Sequence, residues 1–146
     1  MKQNNDYYVI ACNDLYYLQA TLHLPYYNQI AVGAQQVAEK MIKSVAERTC
    51  VGIEKLMGSH NLRALYTEIR KNEEDFELDR DKLSTLKDFY FDARYPGDNY
   101  VDVDEDDCER CLATMYDVVE AVNAFRQKHE LPFHEFERKM LEPQQI

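Results

Sequence analysis

Residues that interrupt helices are scarce in this chain, and that scarcity limits the folds open to it. The 146 residues include only four Gly and four Pro. An all-β fold needs many turns, and Gly and Pro are among the residues that most often form them. The sequence also lacks the alternating apolar and polar pattern that marks a half-buried strand. We therefore predict an all-α fold built from long helices.

Apolar residues recur at three- and four-residue steps along most of the chain, which is the spacing of one buried helix face. The pattern predicts helices over 6–23 and 27–49 and a short helix capped by Ser59. It also predicts a helix that ends at Pro96, and a long helix that begins near Asp104. We interpret these segments as a bundle of four to five main helices with short connections.

The end of the chain carries one more apolar pattern, after Pro132. Phe133, Phe136 and Met140 are spaced as on one side of a helix, so we predict a short C-terminal helix there. The whole chain is expected to form one helical domain over residues 1–146. The core predicted for the bundle is Ala34, Val37, Met41, Leu65, Leu86, Leu112, Met115, Val119 and Val122.

The net charge of −10 argues against broad, salt-driven binding to nucleic acid. The charge is uneven, however. Residues 40–71 carry seven Lys or Arg against three Glu, whereas residues 72–109 carry four Lys or Arg against fifteen Asp or Glu. A local basic region could therefore meet phosphate despite the overall sign. With no long apolar run for a membrane span and no secretion signal at the N-terminus, we expect a cytoplasmic protein.

Two features imitate metal sites, and neither has the full pattern. Cys108 and Cys111 form a CxxC, but both lie on the apolar face of the last long helix, where Cys acts as a small hydrophobe, and no second CxxC follows. The acidic run from Asp102 to Asp107 lacks the Gly and the bidentate Glu of a calcium loop. We expect no bound metal and no cofactor.

A polar stripe accompanies the second helix. Gln36, Glu39, Lys40 and Lys43 share one side of it at helical spacing. The simplest interpretation is a solvated face on which Glu39 supports Lys43 four residues later. Arg94 has a similarly simple interpretation, since the helix dipole favours a cation near a helix C-terminus.

Three blocks together resemble the HEPN domain family, the higher-eukaryote and prokaryote nucleotide-binding domains. They are AQQVAEKMIKSV (34–45), SHNLRALYTEI (59–69) and YFDARYPG (90–97), and the last resembles one Arg-Tyr-Pro subgroup. The resemblance covers about residues 6–128. It implies an antiparallel, up-and-down helical bundle, a homodimer, and a nucleotide or RNA-related role, often with a minimal nucleotidyltransferase partner. By position, it implies a ligand-binding cleft lined by Gln36, Glu39, Lys40, Lys43, His60, Arg94 and Tyr95.

Many HEPN proteins are metal-independent ribonucleases that use an Arg followed, four to six residues later, by a His. Here Arg94 is present, but Tyr100 stands where the His would serve. Tyr titrates near pH 10 and is a poor general base at neutral pH. We therefore expect a non-catalytic protein that binds a nucleotide or another phosphate-bearing ligand. Two alternatives remain: a divergent ribonuclease toxin of a toxin–antitoxin pair, which would be favoured if a His such as His60 faced Arg94, and a purely structural interaction protein.

Overall fold

The computed structural model describes residues 6–92 and 100–142, and all regular structure within these ranges is helical. The predicted all-α fold is confirmed. In the same ranges, no helix is both long enough and apolar enough to cross a membrane. The predicted helix end at Pro96 lies outside the described residues. The helices are α1 Tyr7–Ala20, α2 Tyr27–Thr49, α3 Glu54–Met57, α4 Leu62–Arg70, α5 Arg80–Asp92 and α6 Glu105–Lys128.

The central helix is α2, because α1, α4, α5 and α6 all pack against it. Near its start, the Asn28 amide donates to the carbonyl of Val101 and accepts from the N–H of Val103, both at 2.8 Å, just before α6 begins. At the other end, Thr49 and His129 line one small cavity. α2 and α6 therefore run in the same direction, as the second and last long helices of an up-and-down bundle do.

The opposite direction is taken by α1. The Tyr8 hydroxyl, near its start, donates to Oδ1 of Asn123 at 2.7 Å, late in α6. Gln19, near its end, donates to the hydroxyl of Tyr116 at 3.1 Å, about two turns earlier in α6. All nine residues predicted for the core are buried, and they belong to one apolar cluster that α1, α2, α4, α5 and α6 share.

The start of α6 follows the prediction, and the start of α4 differs from it. Oδ1 of Asp104 accepts from the N–H of Asp107 at 2.7 Å, which caps α6. In α4 the cap is Asn61, whose Oδ1 accepts from the N–H of Ala64 at 3.1 Å, so the prediction of Ser59 as the cap was wrong. The four-residue α3 lies between α2 and α4, where no helix was predicted.

Residues 130–142 form no helix, so the predicted C-terminal helix was wrong. This segment, which we call the C-terminal strap, follows α1 and α6 in an irregular path. Side chains of those helices form hydrogen bonds with backbone N–H groups of the strap. The Tyr8 hydroxyl accepts from the N–H of His134 at 2.8 Å, and the Tyr116 hydroxyl accepts from the N–H of Lys139 at 3.0 Å. The apolar side chains Phe133, Phe136 and Met140 pack against the core from this path.

Candidate functional site

The polar stripe on α2 divides into two parts with different surroundings. Glu39 and Lys43 are buried, with 8% and 6% of their surface exposed, whereas Gln36 and Lys40 are partly exposed. Glu39 and Lys43 lie toward the start of α4, whereas Gln36 and Lys40 lie toward α1. The predicted ion pair four residues apart is present, but the expectation of a solvated face was wrong for Glu39 and Lys43.

Glu39 is the centre of a polar group that we call the Glu39 cluster, made of Gln35, Glu39, Lys43 and His60. Its Oε2 lies 3.3 Å from Nζ of Lys43. Its Oε1 lies 2.8 Å from Nδ1 of His60 and accepts from Nε2 of Gln35 at 3.0 Å. One carboxylate thus contacts nitrogen atoms of three side chains, and Gln35 is fully buried beside it.

This arrangement has a definite chemical capacity. A buried ion pair is tolerated only when further hydrogen bonds satisfy its remaining polar atoms, and Gln35 and His60 supply these to Glu39. A carboxylate that holds one nitrogen of an imidazole also orients the ring and determines which nitrogen carries the proton. The cluster therefore fixes His60, two residues before α4, in a set orientation next to a lysine.

The other half of the stripe is tied to α1. Nζ of Lys40 lies 2.5 Å from Oδ2 of Asp14, and about a third of each side chain is exposed. Asp14 and Gln36 both line a groove of about 630 Å³ between α1, α2 and their connection. Lys40 therefore stands at the edge of an open groove, with its charge partner inside it.

The basic region over residues 40–71 is largely paired within the chain. Five of the seven basic residues over 40–71 contact a carboxylate; they are Lys40, Lys43, Arg63, Arg70 and Lys71. Some of these carboxylates come from the acidic stretch that follows, such as Asp81 and Glu77. The charge asymmetry read along the sequence is therefore reduced in the fold.

Two of the predicted site residues, Arg94 and Tyr95, lie outside the described residues. The structure thus brings Glu39, Lys43 and His60 together. Gln36 and Lys40 lie on the neighbouring face of α2, toward α1. Tyr100, at the position of the missing His, is 45% exposed, and its hydroxyl accepts from the Asn28 amide at 3.1 Å.

Sequence reasoning missed two participants, Gln35 and Asp14. Gln35, Glu39 and Lys43 stand four residues apart in one row of α2, so the spacing could have placed Gln35 in the cluster. Asp14 gave no such signal. It pairs with a lysine 26 residues later, and only the packing of α1 on α2 brings the two together.

The two cysteines of the CxxC are core residues. Cys108 is fully buried and Cys111 is 3% exposed. Burial raises the pKa of each thiol to about 12, with nearby carboxylates adding to the effect. Within residues 6–92 and 100–142, no group of three or more His, Cys, Asp or Glu is placed to hold a metal ion.

Comparison with known proteins identifies the family of this chain. No curated protein and no solved structure matches the chain. The family described as HEPN domain matches residues 5–126, which is most of the sequence and includes α1, α2, α4 and the Glu39 cluster. The C-terminal strap lies beyond the matched range. On the strength of that match, the chain belongs to the HEPN domain family.

Proposed function

We propose that this chain is a non-catalytic HEPN domain that binds a phosphate-bearing ligand, such as a nucleotide, beside α2. One observation carries the proposal: a groove of about 630 Å³ opens next to Lys40, a lysine with about a third of its side chain exposed. Sites for small molecules commonly have volumes of about 300–1,000 Å³. The groove is thus large enough for a nucleotide-sized ligand.

The two lysines of the stripe have different parts in this proposal. Lys43 is buried and held by Glu39, so its first role is to keep the cluster neutral. Lys40 is the cation that an incoming phosphate reaches, because about a third of its side chain is exposed. Arg94 joins it on the grounds of sequence, because a guanidinium fork suits phosphate oxygens. His60, oriented by Glu39, adds a further nitrogen donor near the same helix.

Calorimetry with AMP, ATP and a short RNA tests this proposal. We expect binding that weakens as salt is added, because the phosphate contact is ionic. Lys40→Ala and Arg94→Ala should each weaken binding several-fold, with the larger effect for Arg94. Lys55→Ala, which removes an exposed lysine of α3, is the matched control and should bind as the unmodified protein does. Absence of binding, or binding that both site variants retain, would overturn the proposal.

The non-catalytic part is tested separately with RNA substrates. We expect no cleavage above background at neutral pH, because Tyr100 replaces the His of the ribonuclease motif. Cleavage that is abolished by both Arg94→Ala and His60→Ala would instead assign the ribonuclease function to this chain.

We further propose that the protein forms a homodimer and acts with a nucleotidyltransferase partner, both of which are expectations for this family. Light scattering at micromolar concentration should give twice the mass of 17.3 kDa. A monomeric mass would contradict the dimer. Failure to co-purify with a co-expressed nucleotidyltransferase encoded beside it would contradict the partner.

A further inference from the structure

The groove between α1 and α2 has a chemistry of its own, distinct from that of the Glu39 cluster. Its apolar lining includes Leu18, Leu24 and Ile30. Two tyrosines stand at its edge: Tyr17 of α1 is 73% exposed, and Tyr26, just before α2, is 58% exposed. Exposed aromatic rings beside an apolar floor offer faces on which a flat ring can stack.

Three amide side chains also line the groove: Asn13, Gln29 and Gln36. Within the described ranges, none of the three forms a side-chain hydrogen bond to another residue. An amide offers a donor and an acceptor side by side, the pattern that matches the edge of a nitrogen heterocycle. The groove thus combines stacking surfaces with groups that can recognise a ring edge.

The charge of the groove selects against an ionic group inside it. Among the residues that the structure describes, no Lys, Arg or His lines it. Asp14, the one charged residue in the described part of the lining, is paired with Lys40. A phosphate within the groove would lose water without gaining a cation, which is costly. An uncharged ring would meet no such cost.

The close approach of α1 to α2 sets the depth of the groove. A Cβ atom added at Gly33 would lie 3.0 Å from Cδ1 of Leu18, so the glycine allows the two helices to meet closely at the floor. The floor of the groove is therefore formed where α1 and α2 pack tightly, and side chains at the edge line its opening.

We propose that this groove binds an uncharged, planar nitrogen heterocycle, stacked on Tyr17 and Tyr26 and read at its edge by Gln36 and Asn13. The inference rests on the proposed function in one respect: the heterocycle is taken to be the base of the nucleotide whose phosphate meets Lys40. Lys40 and the two tyrosines stand at the edge of the apolar floor, so the ring lies inside the groove and the phosphate lies outside it, at Lys40.

Nucleosides test the groove without the phosphate. Adenosine, guanosine, cytidine and uridine would be measured against the protein by saturation-transfer NMR and calorimetry, each alongside its monophosphate. We expect at least one nucleoside to bind, and Tyr17→Ala to weaken that binding at least about fivefold, as the loss of a base-stacking aromatic does. The single variant Gln36→Leu should also weaken nucleoside binding, or change which base is preferred.

Two control variants are matched to these changes. Tyr16→Ala removes the neighbouring exposed tyrosine, which packs on Phe136 of the strap and does not line the groove. Gln127→Leu removes an exposed amide of α6. Both should bind nucleosides as the unmodified protein does. The melting temperature and the mass by light scattering, taken for each variant, separate lost binding from lost structure.

The outcomes distinguish the groove from the phosphate site. Nucleotide binding that Tyr17→Ala and Gln36→Leu leave unchanged would overturn the groove inference and leave the proposed function standing. Nucleoside binding that depends on Tyr17, with monophosphates no tighter and no effect of Lys40→Ala, would support the groove and overturn the phosphate site. Binding of neither class would overturn both.

Discussion

The Glu39 cluster offers the sharpest test of the structure, through the variant Glu39→Gln. The substitution keeps the size of the side chain and leaves an oxygen that can still accept from Gln35, so it removes little besides the charge. What remains is Lys43, with only 7% of its side chain exposed and without its carboxylate. The predicted consequence is a loss of stability caused by an unpaired buried cation.

The expected loss of unfolding free energy is about 3 kcal/mol. Removing one partner of a buried ion pair costs about 3–5 kcal/mol, because the remaining charge stays desolvated. The lower end of that range applies here, since the side chains of Glu39 and Lys43 retain 10% and 7% exposure.

The second lysine of α2 that pairs with a carboxylate provides a matched control. Asp14→Asn makes the same carboxylate-to-amide change next to Lys40, but about a third of each side chain in that pair is exposed. An exposed pair contributes about 0–1 kcal/mol, so this variant should lose no more than that. The double variant Glu39→Gln with Lys43→Met removes the stranded charge as well, and should recover most of the loss.

Urea unfolding followed by circular dichroism at 222 nm measures all four proteins. A lower midpoint with an unchanged slope would identify a loss of stability in the folded state. Equal losses for Glu39→Gln and Asp14→Asn would refute the reasoning, because burial would then have no effect. Failure of the double variant to recover stability would show that the stranded charge is not the cause.

Three further predictions follow from the core and the buried ionisable groups. Leu112→Ala removes a fully buried side chain and should cost about 2–5 kcal/mol in urea unfolding; a cost below about 1 kcal/mol would contradict its place in the core. A thiol reagent at pH 8 should modify Cys50, which is partly exposed, well before Cys108 and Cys111, whose pKa burial raises to about 12; mass spectrometry of the modified peptides gives the order, and equal rates would contradict it. Burial also raises the pKa of Tyr8 to about 12 from 10.0, and the ordinary thiol value is 9.0, so the folded state keeps protons that the unfolded chain releases. Stability should therefore be fully present below about pH 9 and fall as the pH rises toward 12, and a melting temperature that stays constant over that range would contradict the burial of these groups.

Much of the bundle could be predicted from the sequence because helix formation is local. The apolar residues of α2 recur at three- and four-residue steps, and Asp104 precedes the acidic first turn of α6. The positions of these two helices were therefore predicted. The core residues on these faces were found for the same reason. The four-residue α3 was missed because a single turn carries no periodicity.

The strap shows where that local logic fails. Phe133, Phe136 and Met140 have helical spacing, and the same side chains pack on the core from an irregular path. The choice between a helix and an irregular path depends on which groups the backbone N–H groups of the strap bond to. Tyr8, which bonds to the N–H of His134, lies 126 residues earlier in the chain, and no local pattern could indicate it.

The sequence by itself determined where the long helices lie, which of their faces are buried, and that the polar residues of α2 share one side. Only the tertiary structure decided that Glu39 and Lys43 are buried while Lys40 reaches the edge of a groove. The physical reason is that burial depends on what covers a side chain. Here α4 covers one half of the stripe, and α1, with its partner carboxylate Asp14, leaves the other half open.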